Sequence, residues 1–219
     1  MPQRLSRFFI VLISALLLSG LAFADSTVNM TFIGPGGNNG GGVYTYPYNF
    51  SINGGPSTPL ICDTFDNEVV SGETWTATVS NLLSGTGLFG SNPSDYKAAG
   101  LIFEGITGGT INATVGNWAI WGLFSQNAIN NPFYLSSGAG TLASQYLIAA
   151  ASAPDSAFSG LVLYTPVAGT QSWGGLPQEY IGYGHVSAPE PASLAMLGMV
   201  LLTLGAATRK RFGVQAAKN

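Results

Sequence analysis

Charge is what this chain lacks most. Asp, Glu, Lys and Arg make up only 8% of its 219 residues, against about 25% in an ordinary soluble domain. Histidine and cysteine occur once each, as His185 and Cys62, which excludes a Cys/His zinc cluster and an intramolecular disulfide. Basic residues are almost missing from the middle. Six of the seven sit at the ends, as Arg4, Arg7, Arg209, Lys210, Arg211 and Lys218. Between Asp25 and Ala188 the single base Lys97 meets nine acids, a net charge of −8. A stretch of that sign cannot neutralise a phosphate backbone, so nucleic acid is excluded as a partner. Hydrolytic equipment is thin as well: His185 stands just before Pro189, and no G-x-S-x-G elbow accompanies it.

What the chain does have is apolar and small. Hydrophobic residues make up 46%, with 4 Trp, 9 Tyr and 12 Phe, enough for one packed core. The 30 Gly and 12 Pro stay short of the range that signals disorder.

The two ends read as addresses. Arg4 and Arg7 precede an apolar run, Phe8 to Leu18, broken only by Ser14, and the small-x-small site Ala22-Phe23-Ala24 follows. This is the layout of a secretory signal peptide over residues 1–24, with cleavage by signal peptidase expected after Ala24. As a retained anchor the run is too short to cross a hydrocarbon layer of ~30 Å. At the far end, Pro189-Glu190-Pro191 leads into an uncharged segment, Ala192 to Ala207, and then Arg209-Lys210-Arg211. That segment makes about 24 Å of helix, slightly less than a full span. Its basic flank recovers part of the difference by reaching to the interface. The segment has no polar face for water, which argues against a core helix. The basic cluster fits the cytoplasmic side of the positive-inside rule. The expectation is a C-terminal transmembrane helix, a cytoplasmic tail at 212–219, and an acidic body at 25–188 held outside the inner membrane.

A Pro-Glu-Pro triplet, a short hydrophobic helix and a terminal basic cluster, in this order and behind a signal peptide, resemble the PEP-CTERM sorting signal of Gram-negative bacteria. Pro189, Glu190, Pro191, Arg209, Lys210 and Arg211 carry the resemblance, over residues 189–211. It implies an exosortase as processing partner, and a cargo first held in the membrane, then delivered to the cell surface or extracellular matrix, often beside exopolysaccharide. Two prolines around Glu190 suit that role physically, because they keep the segment extended and out of the helix.

Within the body, the pattern predicts strands at Val28 to Ile33, Val43 to Ile52, Leu60 to Cys62, Glu73 to Leu82, Gly160 to Thr165 and Glu179 to Val186. Tyr44, Tyr46, Tyr48, Phe50 and Ile52 alternate at period two, with Pro47 marking an edge or bulge. Gly34 to Gly42 predicts a flexible loop. Three helices are expected between the strands. The first is capped by Asn92 with Pro93 at its start, the second covers Asn112 to Ser125, and the third covers Thr141 to Ala151. The fold class is therefore mainly β with a helical insertion (α+β), as an antiparallel sandwich or small barrel.

Cys62 and the run Trp118-Ala119-Ile120-Trp121 resemble the thioester domains of bacterial surface adhesins. In those, a Cys on an early strand condenses with a Gln two residues before Ala-Ile-Trp. Here Asn117 holds the Gln position, one methylene shorter, so the expectation is a related fold with Cys62 as a small buried side chain and no bond. Asp63, Asp66 and Glu68, with Asn67 between, gather oxygens that could hold Ca²⁺, although the spacing is not an EF-hand loop and a solvated acidic turn is preferred. Glu73, Glu104 and Glu179 are the acids a glycosidase would need, with nothing to set them above surface acids. Trp75, Trp118, Trp121 and Trp173 offer a sugar-stacking platform or a core, with core preferred. The resulting expectation is a non-enzymatic surface or matrix protein without a cofactor, serving adhesion or envelope and biofilm structure. A surface carbohydrate-binding module and a covalent thioester adhesin are the alternatives.

Overall fold

The computed structural model describes residues 26–184. The signal peptide with Ala22 and Ala24, His185, the Pro189-Glu190-Pro191 triplet, the C-terminal apolar segment, Arg209 to Arg211 and the tail all lie outside the described residues. Among the described residues, no helix is long and apolar enough to cross a membrane.

Among the described residues eight strands form: β1 (Ser26–Pro35), β2 (Asn39–Gly40), β3 (Val43–Tyr44), β4 (Tyr48–Ile52), β5 (Ser57–Cys62), β6 (Thr74–Asn81), β7 (Leu161–Pro166) and β8 (Tyr180–Tyr183). Six of them close into an antiparallel barrel in the order β1-β4-β5-β8-β7-β6, with β6 returning to β1. Closure depends on the length of β1. Its first half pairs with β6 and its second half with β4, and a register shift between Phe32 and Gly34 supplies local bending. Of the two architectures expected, the chain adopts the barrel.

Alternation decides which side chains fill it. Pairing puts Met30, Phe32, Phe50, Leu60, Cys62, Trp75 and Tyr180 on one face, and all are buried. Their rings interlock: Phe50 lies 4.5 Å from Tyr180 and 5.6 Å from Trp75, both edge-on. Ile61, Leu161, Leu163 and Ile181 point the other way and are buried as well, because the helical insertion covers that side. The β4–β5 hairpin turns at Asn53-Gly54, both at positive φ, which those two residue types tolerate best.

The insertion between β6 and β7 holds α1 (Pro93–Thr107), α2 (Ala113–Phe124), α3 (Gln126–Ile129), α4 (Pro132–Ser137) and α5 (Ala139–Ser152). On α2, Gly116 to Trp121 are buried without a break, so this helix is enclosed on all sides. Asn112 caps it as expected, its Oδ1 accepting from the N–H groups of Thr114 and Val115. Asn92 does not cap α1. Its amide donates to the Asp95 carboxylate instead.

Two predicted elements need correction. The single strand over Val43 to Ile52 is split into β3 and β4, because Pro47 has no N–H to give to a ladder. The glycine-rich segment before it is not a free loop. Gly40 pairs with Val43, and its carbonyl accepts from the Trp118 indole at 3.1 Å. A Cβ on Gly40 would stand 2.3 Å from the Thr114 side chain. Glycine is needed there for close approach to α2.

Candidate functional site

Two groups of polar residues stand out, one inside the molecule and one on its surface. The inner group forms at the end of β5, where the chain leaves the barrel. Cys62 is fully buried; its thiol donates to the Thr64 carbonyl at 3.3 Å and receives the Trp121 indole N–H at 3.4 Å. Burial, and then the neighbouring Asp63, push the thiol pKa well above its ordinary value, so the nucleophilic thiolate is suppressed. The structure does bring Asn117 to Cys62, but through the main chain. Its Nδ2 donates to the Cys62 carbonyl at 2.9 Å, and its Oδ1 accepts from the Tyr46 N–H at 2.8 Å. One amide thus ties α2 to β5 and to the segment ahead of β4.

Beside it lies a buried carboxyl pair. Glu179 accepts from the Tyr96 hydroxyl at 2.7 Å, the Leu88 N–H at 2.9 Å and the Thr165 hydroxyl. Asp63 Oδ1 accepts from Thr64 at 2.9 Å, whereas Oδ2 meets no conventional donor. Burial first, and Glu179 second, raise the Asp63 carboxyl well above the usual carboxylate range. A carboxyl in that environment favours its neutral, protonated form. Thr64 completes the knot, its hydroxyl oxygen accepting from the Glu179 N–H at 3.0 Å. This network holds the exit of β5 against the entry of β8.

The outer group surrounds a surface cavity of about 370 Å³, lined by Asp66, Asn67, Glu68, Glu73, Trp173 and Leu176 among others. Its walls are two loops, each fastened by hydrogen bonds. On one side the Ser172 N–H donates to the Thr74 carbonyl at 2.8 Å and the Thr74 N–H returns to Ser172 Oγ at 2.9 Å. On the other, Gln178 Nε2 donates to the Asn67 carbonyl at 2.8 Å and Asn67 Nδ2 donates to the Pro177 carbonyl at 3.1 Å. Trp173 therefore stands 63% exposed on a held backbone, whereas Trp75, Trp118 and Trp121 are in the core.

The acids read from the sequence are thus sorted between two places. Asp63 leaves the trio with Asp66 and Glu68 and faces the core, while the other two are exposed at the cavity. Among the described residues, no three acidic, histidine or cysteine side chains converge to hold one metal ion. Glu73 belongs to the cavity and Glu179 to the buried pair, while Glu104 lies on α1 and joins neither. The core preference for tryptophan is right for three residues and wrong for Trp173. The signal that would have separated it is local: Gln171-Ser172-Trp173-Gly174-Gly175 has no alternation on either side and ends in two glycines. Compared with known proteins, the chain matches no family model, no curated relative and no solved structure.

Proposed function

We propose that this chain is an exported, non-enzymatic cell-surface or extracellular-matrix protein, processed by signal peptidase and sorted by an exosortase, with a barrel that serves adhesion or envelope and biofilm structure. The observation that carries the reading is the partition of charge. Cationic ends flank an anionic body, and Pro189-Glu190-Pro191 stands where the body meets the apolar tail. The anchored form precedes release to the surface. The character of the barrel supports a structural role. Its lone thiol is shut away with its proton on, and Glu179 is tied to neighbours of the fold by three donors.

Cell fractionation with and without an exosortase tests it. The body is expected at the surface or in the matrix when the enzyme is present, and in the inner membrane when it is absent. Recovery of the intact chain from the cytosol in both strains overturns the reading. A covalent thioester between Cys62 and Asn117 is tested separately, by intact mass: the bond requires loss of one ammonia, and a free Cys62 thiol removes it. The exposed Trp173 favours the carbohydrate-binding alternative among the roles open to a surface protein, because a sugar needs an accessible aromatic face.

A further inference from the structure

We infer that the cavity beside Trp173 is a binding site for an uncharged sugar residue of a polysaccharide. The inference deepens the surface reading above by naming a ligand, and relies on it only for where the ligand is met.

The volume, about 370 Å³, falls within the range of ~300–1,000 Å³ found for ligand pockets. What lines it limits what can enter. Asp66, Glu68 and Glu73 present carboxylate oxygens, which only accept hydrogen bonds. Glu73 is the most demanding of them. It is 5% exposed, its Oε2 accepts from the Val70 N–H at 3.2 Å, and among the described residues no donor reaches its other oxygen. Asn67, with its Nδ2 engaged by Pro177, leaves a further acceptor oxygen. An acceptor-lined wall calls for a ligand rich in donors.

Charge narrows the class. Lys97, the one base of the body, is bound to Asp155 at 2.6 Å and to the Ala153 carbonyl at 3.0 Å, and it does not line the cavity. An anionic ligand would meet uncompensated carboxylates and be repelled. A bare divalent ion would need oxygen ligands converging on one point, which these acids do not provide. Trp173 supplies the remaining requirement, a flat apolar surface standing in water with its backbone pinned at Ser172. A pyranose ring has both halves of the match: hydroxyl donors around its edge and a face of C–H groups to cover the indole. A site of this kind loses little on ordering, because the Ser172–Thr74 and Asn67–Gln178 bonds already fix its two walls.

The test is titration of the purified full chain with maltohexaose, cellohexaose and N-acetylchitohexaose, followed by calorimetry and tryptophan emission. Alginate serves as the anionic control, and calcium chloride is titrated alone. At least one neutral oligosaccharide is expected to bind. Trp173→Ala and Glu73→Gln should each weaken it about tenfold or more, with the near-UV spectrum of the fold retained. The proposal is overturned if none of the three binds, if binding survives both substitutions, if alginate is preferred, or if calcium alone perturbs Trp173. Fractionation decides export and titration decides sugar binding, so either result can fail without the other.

Discussion

Asp63 and Asp66 are three residues apart on one turn, yet they belong to different chemistry. Asp63 is closed in with Glu179, Tyr96 and Thr64, and its charge is removed by a proton. Asp66 remains at the surface, accepting from Asn127 at 2.7 Å beside an open cavity. Glu179 and Glu73 repeat the contrast. Both are buried, but Glu179 has three donors from the protein, whereas Glu73 has one and an oxygen left over. A buried carboxylate held by three donors, as Glu179 is, ties elements of the fold together, whereas a carboxylate oxygen without a protein donor at a cavity wall is available to something else. The inner group is therefore expected to respond to substitution through stability, and the outer group through binding.

The strongest test of that division is Asn117→Ala. It orphans the part-buried Tyr46 N–H and the buried Cys62 carbonyl, and should cost about 2–4 kcal/mol in urea unfolding at an unchanged m-value. A loss near zero would mean that the amide does not tie the helix to the barrel. Next comes Asp63→Asn, read as melting temperature against pH. The raised carboxyl holds its proton in the native state but not in the unfolded one, so its contribution is complete below pH ~4 and declines as pH rises toward the folded value. An amide cannot ionise. The variant should therefore have a flatter profile between pH 4 and 8, and an unchanged slope would remove the proton from Asp63. Above pH ~8.5 Cys62 adds a decline of the same sign, so the comparison belongs below it.

Smaller effects sharpen the other side. Cys62→Ala deletes one sulfur and the partner of the Trp121 N–H, for an expected loss of about 1–2 kcal/mol by thermal unfolding. Trp173→Ala should change stability by no more than about 0.5 kcal/mol, while removing the long-wavelength part of the tryptophan emission. A large destabilisation there would move Trp173 from the ligand face to the frame of the fold.

The sequence was most legible where one residue type repeats at one period. Trp75, Ala77 and Val79 against Thr74, Thr76 and Thr78 make β6 readable with its inner face. The helical insertion also follows from its spacing, and Asn112 from cap chemistry. The split of Val43 to Ile52 was harder, since five aromatic or aliphatic residues keep period two straight across Pro47. The glycine-rich segment misled because its glycines serve contact rather than freedom: Trp118 and Thr114 lie against Gly40, residues more than seventy positions away. Cys62 and Asn117 were found as neighbours, but the atoms that join them, a side-chain amide and a main-chain carbonyl, leave no mark in composition or spacing. The carboxyl pair and the Trp173 cavity arise from the return of β8 and its preceding loop to β5, which no local pattern encodes.

Ring closure carries a last consequence. Because β1 is bonded on both flanks, to β4 and to β6, the ring has no edge strand at the place where an open sheet would end. A strand bonded on both sides has no free row of main-chain groups to lend to a second copy, so β1 is closed to edge-to-edge pairing.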